Sequence, residues 1–552
     1  MRQPFRMPFR RADARGLSAN TLTALAAAAL ATLYSLSFWD RLLAADIPDG
    51  GRGWLFLVAA WLVVFALNGV FLSLLAWRGL QKPALAVVLV VSAATAYFMD
   101  GFGAVVDRHA VQSVLETDLR EGSEWFSWQM AAYLVGLGLL PAAGLLMLPV
   151  RYRAWPRELL ARAGYMLAML LLVGAAVAPF SREMASTARN HGELRHLAAP
   201  LNLANALRAY VKHSGPRFPD KVEPLGTDAR GGGSYISAPR PPLLLVLVVG
   251  ESAREQSFSL GGYARQTNPR MAAERINYFG NVSSCGTNTA TSLPCMFSDL
   301  GRENYDESRF KGRENLLDVL ARAGFKVDWK DNNTGSKGIA RRLGEVRMSE
   351  VSTSPHCQDG ECHDEVFVED LRRELATPGG GDRVLVLHML GSHGPAYFKR
   401  YPPAFAKFTP ACESVALQDC TPEQIRNSYD NTILYTDHVL GELLGVLQAQ
   451  GDARIPALLY LSDHGESTGE GGLYLHGAPY LVAPREQTRV PMLLWTSEAF
   501  ERWRRLDPAC VATRRDEALS HDHFFHTVLG LLDVQTTAYR PELDALAGCA
   551  PG

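Results

Sequence analysis

What most limits the possible folds of this chain is where its apolar residues lie. A membrane-spanning helix needs about 20 mostly apolar residues. Five such stretches follow one another in the first third, over residues 17–39, 53–77, 83–106, 126–150 and 159–180. Short polar loops separate them, an arrangement that buried helices of a soluble protein do not explain. Positive charges set their direction. Arg2, Arg6, Arg10, Arg11 and Arg15 precede the first stretch, Arg78 and Lys82 follow the second, and Arg151, Arg153 and Arg157 follow the fourth. All fall on one side, the cytoplasmic one, while the loops near Asp46 and Asp49 and over residues 116–124 are acidic or mixed. An odd number of spans then places everything after Phe180 outside the cytoplasm. The first stretch lacks a small-residue cleavage site, so it reads as a retained anchor rather than a signal peptide.

Residues 181–240 form a connector. Residues 194–211 repeat apolar side chains at helical spacing and would form an amphipathic helix on the membrane surface. The remainder, with Gly231-Gly232-Gly233, reads as a flexible link. The expected organisation is therefore residues 1–180 as a five-helix membrane anchor, 181–240 as a bridging helix and linker, and 241–552 as a separate domain outside the cytoplasm. A net charge of −2 gives no basic field for nucleic acid. All eight cysteines lie from Cys285 onward, mostly as near neighbours: Cys285 with Cys295, Cys357 with Cys362, Cys412 with Cys420, and more distantly Cys510 with Cys549. That spacing is not a zinc finger's and suggests disulfides made in an oxidising compartment.

After residue 241 the pattern becomes α/β. Residues 243–249, 384–390 and 457–461 are continuous apolar runs, and helical patterns such as 315–323 and 429–448 lie between them. Unbroken apolar strands alternating with helices argue for a buried, mostly parallel sheet. Polar residues follow each strand at once: Glu251 and Ser252, then Ser392 and His393, then Asp463, His464 and Glu466. Ligands bind at the carboxyl ends of strands in such sheets, so these residues converge on a metal or acid–base site. The segment from Ser283 to Thr289 precedes a helix start. Thr289 there is either a hydroxyl poised to meet a phosphate at the positive helix end or a simple cap.

These residues resemble the motifs of the bacterial phosphoethanolamine transferases. The resemblance is carried by Val248-Val249-Gly250-Glu251-Ser252-Ala253-Arg254, by Ser284-Cys285-Gly286-Thr287-Asn288-Thr289 with Ser292-Leu293-Pro294-Cys295-Met296-Phe297-Ser298, by Gly391-Ser392-His393-Gly394-Pro395, by Tyr460-Leu461-Ser462-Asp463-His464-Gly465-Glu466-Ser467, and by His476-Gly477 with residues 484–491. It spans nearly the whole chain and is strongest to the lipid A branch, which includes the mobile colistin-resistance enzymes. It implies an alkaline-phosphatase-like catalytic domain in the periplasm, anchored in a Gram-negative inner membrane and acting as a monomer.

The resemblance also implies chemistry. Glu251, Thr289, Asp463 and His464 would hold a zinc ion. Thr289 would take phosphoethanolamine from phosphatidylethanolamine and pass it to a phosphate of lipid A in lipopolysaccharide. His393 and His476 would bind the transferring group, assist proton transfer or hold a second zinc, and Glu466 would support the site. Lys330 would meet phosphate charge. Ser113, Thr117 and Glu121 match the positions that handle the lipid substrate, with Ser113 standing where the family usually has Asn. Cys285–Cys295, Cys357–Cys362 and Cys412–Cys420 would be disulfides, with Cys510–Cys549 left open. Closing the first loop is worth on the order of 3 kcal/mol.

Other signals carry less. His521, His523 and His526 look metal-like, but continuing helical periodicity makes them surface histidines at a helix start. Asp437 and His438 read as packing or polar-face residues, and the sequon at Asn281 as coincidence. Rival readings are the same transfer to a core sugar or a periplasmic glucan, a glycerophosphate transferase, and a hydrolase. Neither Cys285 nor Cys295 begins the Cys-X-Pro-X-Arg pattern of sulfatases.

Overall fold

The computed structural model describes residues 16–550 apart from 46, 48–49, 117–121, 123–124, 214–217, 220, 236–239, 359 and 377–379. The five N-terminal arginines, Asp46, Asp49, Thr117 and Glu121 lie outside the described residues. The chain divides into two compact units, one of residues up to 108 with Phe126–Arg208, the other of His109–Trp125 with Ala209–Gly552.

Helices make up the first unit. α1 (Ala19–Thr32) and α2 (Leu36–Leu43) form a pair bent by 51°, followed by α3 (Gly50–Ser73) and α4 (Gln81–Phe102). α5 (Arg108–Glu116) opens the segment that groups with the second unit, and α6 (Trp128–Met147) and α7 (Trp155–Asn190) return to the first. α3, α4, α6 and α7 are long and apolar enough to cross a membrane, and the bent pair is a fifth if it is one span. The expected first span is thus a broken helix. At the break the Ser35 hydroxyl donates to the Leu30 carbonyl at 2.9 Å, satisfying one of the carbonyls that the end of α1 leaves without a ladder partner. Leu22, Leu30, Leu72, Leu85 and Leu89 pack together inside the bundle. Leu25, Trp54 and Leu160 stay exposed, as an outer face solvated by lipid requires. The amphipathic helix of the connector is α8 (Leu201–His213), preceded by a 3₁₀ turn at Gly192–His196.

The second unit is built on an eight-stranded sheet. In chain order its strands are β1 (Leu243–Gly250), β2 (Asn277–Ser283), β3 (Lys326–Asp331), β4 (Glu345–Arg347), β5 (Arg383–His388), β6 (Ile455–Ser462), β7 (Arg489–Thr496) and β8 (Leu519–Ser520). They lie in the order β8-β2-β7-β6-β1-β5-β3-β4, parallel throughout except that β7 runs against both β6 and β2. Every residue of β1 and β6 is buried, as strands covered on both faces must be. Leu243, Leu245, Leu247 and Val249 alternate onto one face and pack with Phe297, Leu316, Leu320 and Phe524.

Register places the site. Val249 pairs with His388 on one side and with Leu461 on the other. The residues just past these three strands therefore emerge along one edge. Around the sheet stand α9 (Thr289–Met296), α10 (Val366–Leu375), α11 (Pro422–Gln448) and α12 (Asp522–Leu531). All four cysteine pairs are disulfides, Cys510–Cys549 included, and no cysteine is free.

Candidate active site

Asn288 caps α9, its side-chain oxygen accepting from the Thr291 N–H at 2.9 Å. Thr289 is thereby the first helical residue and stands among the unpaired N–H groups of the positive helix end. Its hydroxyl donates to Glu251 Oε2 at 3.0 Å and lies 3.3 Å from His464 Nε2. Glu251 follows β1 directly, and Asp463 and His464 follow β6. His464 Nδ1 donates to the Gly465 carbonyl at 2.9 Å, which turns the ring's Nε2 edge inward. That Nε2 is 3.4 Å from Glu251 Oε1 and 3.5 Å from Asp463 Oδ2, and all three side chains are fully buried.

The residues fit a metal ion. One ligand atom each from Glu251, Asp463 and His464 falls within 4.8 Å of the others. Asp463 Oδ2 is buried and accepts no hydrogen bond. Burial opposes the Glu251 charge, but His464, His393 and His476 outweigh it and hold this carboxyl well below the usual range. Burial and the Glu251 charge together push the Asp463 carboxyl up. Two carboxylates forced together away from water, one with an orphaned oxygen, are what a bound cation would relieve. Three oxygen ligands with one imidazole suit zinc with an activated hydroxyl as ligand.

Ser252 organises this set. Its Oγ–H donates to Glu251 Oε1 at 2.7 Å, and its N–H donates to Asp463 Oδ1 at 3.2 Å. To do both it adopts a left-handed backbone, φ 56°, which non-glycine residues rarely adopt. One oxygen of each carboxylate is thus engaged, leaving Glu251 Oε2 toward Thr289 and Asp463 Oδ2 unpaired. Asn333 adds a second donor, Nδ2 to Glu251 Oε2 at 2.9 Å.

Beside this centre, His476 Nδ1 meets Glu466 Oε2 at 2.8 Å, and the other Glu466 oxygen accepts from Tyr397 Oη at 2.5 Å. Burial works against charge on His476, but Glu466 overcomes it and favours the imidazolium. The His476 ring lies 4.3 Å from that of His464 and 6.2 Å from that of His393, centre to centre. Arg254, buried, reaches the Glu466 carbonyl and Glu470 and so fixes the Glu466 turn. The Cys285–Cys295 disulfide brackets Thr289.

Several expectations change. Lys330 does not face this centre. Its ammonium is buried against Asp370 and Glu374 of the α10 side, because strand alternation turns Lys330 and Asp331 to opposite faces. Asp331 instead pairs with the buried His388 at 2.8 Å. Ser113 is exposed on α5, whose His109 lies 3.1 Å from Thr291 Oγ1. His521 and His526 are buried, not on the surface. His521 Nδ1 accepts from the Cys285 N–H at 3.2 Å and its Nε2–H donates to the Ser462 carbonyl at 3.0 Å, which ties the segment leading to Thr289 to the end of β6. Asp437 accepts the backbone N–H groups of Arg270 and Met271. Asn333 and Tyr397 had no local sequence signal beyond their place near the motifs, whereas Ser252 followed its strand as a polar residue and His521 stood out only as metal-like.

Two family models match the chain, "Phosphoethanolamine transferase EptA/EptB" over residues 64–214 and "Sulfatase" over residues 244–534. The chain is 37% identical to phosphoethanolamine transferase EptA of Escherichia coli (strain K12) over 95% of its own length and 96% of that protein's. It is 36% identical to phosphatidylethanolamine transferase Mcr-1 of Escherichia coli over 94% and 96% respectively. Among solved structures, the integral membrane protein lipooligosaccharide phosphoethanolamine transferase A (EptA) of Neisseria meningitidis superposes with a TM-score of 0.93 at 34% identity, covering 97% of this chain and 100% of that one.

Proposed function

Because the chain belongs to the phosphoethanolamine transferase family, whose members here are alkaline phosphatase/sulfatase-like enzymes, we propose that it moves phosphoethanolamine from phosphatidylethanolamine to a phosphate of lipid A by way of Thr289. It is a multi-pass inner-membrane protein with its catalytic domain in the periplasm. The observation that carries the reading is the Thr289 hydroxyl, at a helix N-terminus and 3.0 Å from a buried carboxylate.

In this reading Glu251, Thr289, Asp463 and His464 hold zinc. When bound, zinc lowers the pKa of the Thr289 hydroxyl and neutralises phosphate oxygens. The Thr289 hydroxyl gives up its proton on the Glu251 side and its Oγ attacks phosphorus. The bond to the diacylglycerol oxygen breaks, and that oxygen takes a proton from His476, which Glu466 holds in the imidazolium form. Phosphoethanolamine is left esterified to Thr289. A lipid A phosphate oxygen then attacks the same phosphorus; the bond to Thr289 Oγ breaks, that oxygen takes back the proton held on the Glu251 side, and the proton lost by the acceptor phosphate recharges His476. His393, beside His476, contacts the transferring group. Ser113, Thr117 and Glu121 handle the donor lipid. Lys330, neutralised by two carboxylates, has no part. Each transfer adds an ammonium to a phosphate, so the outer membrane loses negative charge and binds polymyxins such as colistin less well.

The test is to incubate the purified protein with zinc and phosphatidylethanolamine, without acceptor, and to examine peptides by mass spectrometry. A phosphoethanolamine adduct on Thr289 is expected. Zinc-loaded, folded protein that forms neither adduct nor diacylglycerol would overturn the reading. Adding lipid A, core oligosaccharide or glucan to the adduct then identifies the acceptor by which one discharges it.

A further inference from the structure

The loop after His476 carries the most exposed large apolar side chain among the described residues. Residues 477–484 read Gly-Ala-Pro-Tyr-Leu-Val-Ala-Pro, with no charged side chain. Its tip leaves Leu481 96% exposed and Val482 47% exposed. An isolated exposed leucine needs no explanation. Here, though, the base of the loop is bonded to the nucleophile segment at several points. Gly477 N–H donates to the Thr287 carbonyl at 2.7 Å, the Thr287 hydroxyl to the Ala478 carbonyl at 2.7 Å, and the Tyr480 hydroxyl to the Ser284 carbonyl at 2.8 Å. Ala478 N–H is held by Gln487 at 3.0 Å. Exposed arginines stand at the neck and base of the loop: Arg302, whose guanidinium stacks 4.6 Å from the Tyr480 ring centre, and Arg485.

An apolar tip, a tyrosine at its neck and cations at its base match the layering of a bilayer surface, where acyl chains lie below phosphates. We propose that this loop dips into the membrane interface beside the acyl chains of the donor phospholipid, with Arg302 and Arg485 against neighbouring headgroups. Because its base is fixed to residues 284–287, insertion holds the nucleophile segment at headgroup height. The proposal rests on reading a bilayer phospholipid as donor.

All eight cysteines are paired, so Leu481→Cys introduces the single free thiol of the chain. The full-length variant, labelled there with an environment-sensitive fluorophore, is reconstituted into vesicles of phosphatidylethanolamine and phosphatidylglycerol carrying spin-labelled acyl chains. Blue-shifted, quenched emission is expected, and a label at the exposed Asp452 position should be unquenched. Kinetically, Leu481→Asp should raise KM for vesicle phosphatidylethanolamine on the order of tenfold, the loss expected when one leucine no longer buries. Turnover of a short-chain, water-soluble phosphatidylethanolamine should be unchanged, which shows that the variant is folded. Leu481→Trp should keep or lower the KM for vesicles. An unquenched label at 481, or an unchanged vesicle KM in Leu481→Asp, would overturn the proposal while wild-type transfer stands. Wild-type protein that transfers from neither phospholipid would overturn the donor reading and the loop's role with it.

Discussion

Thr289 Oγ1 stands 3.0 Å from Glu251 Oε2, joining the first residue of a helix to the residue just past a strand, 38 positions away. Neither local pattern requires this contact; sheet register and the Asn288 cap make it together. It predicts a clean separation of chemistry from stability. Thr289→Ala should lose transfer by at least about a thousandfold and form no adduct, the size of effect expected when a nucleophile is removed. Its melting temperature should match wild type, because the cap of α9 is Asn288. Thr289→Ser keeps the oxygen and should retain slow transfer. Initial rates and peptide mass spectra check both, and turnover near wild type in the alanine variant would exclude Thr289 as the sole nucleophile.

Ser252 offers a test of how the carboxylates are arranged. Its hydroxyl engages one Glu251 oxygen and its N–H one Asp463 oxygen, from a left-handed backbone. Ser252→Ala keeps the strain and loses the hydroxyl, leaving Glu251 Oε1 without that donor. Zinc affinity should fall about 10- to 100-fold, as for other groups that orient metal ligands. Ser252→Gly also loses the hydroxyl but relieves roughly 1 kcal/mol of backbone strain. It should therefore melt above Ser252→Ala while binding zinc no better. Chelator competition and thermal unfolding of the metal-free protein separate the two effects. Wild-type affinity in Ser252→Ala would remove Ser252 from the site.

Much of this was legible in the chain. The runs over 243–249, 384–390 and 457–461 are β1, β5 and β6 to within two residues at each end. The polar residues placed after them, Glu251, Asp463 and His464, do share one buried centre. What misled were contacts made across the fold. Lys330 sits in a polar string at a strand end and looks free, but period-two alternation points it at α10, where Asp370 and Glu374 wait. His521 obeys helical periodicity that suggests a surface position, yet its partners, Cys285 and Ser462, lie 236 and 59 positions away. The left-handed turn at Ser252 and the break at Ser35 involve side-chain hydrogen bonds that no hydropathy pattern records.

The Cys285–Cys295 disulfide closes a short loop around Thr289. Removing it as Cys285→Ser with Cys295→Ser should lower stability by about 3 kcal/mol on the chain-entropy account. Because Thr289 lies inside that loop, kcat should fall as well, with KM for the donor little changed. Purified full-length protein assayed for thermal unfolding and initial rate tests both parts. A destabilised variant with an unchanged kcat would limit the disulfide to stability.

His521 makes the pH dependence specific. Burial pulls its pKa down to about 3, so the folded state holds it neutral, with Nδ1 accepting from Cys285 and Nε2–H donating to Ser462. The unfolded chain protonates it near pH 6.5. Below that pH the unfolded state binds the extra proton and the folded state does not. The stabilisation is therefore complete above about 6.5 and is lost as pH falls toward the folded value. Between pH 7.5 and 5 the loss is about 2 kcal/mol, the slope approaching 1.36 kcal/mol per pH unit only below 6.5. His521→Gln can still accept from Cys285 and donate to Ser462 but cannot take up the proton, so its stability should vary less over that range. Carboxylates titrate in both proteins and cancel in the comparison. Thermal unfolding of the two proteins from pH 7.5 to 5 measures the difference, and parallel curves would show that His521 takes up its proton in the folded state as readily as in the unfolded one.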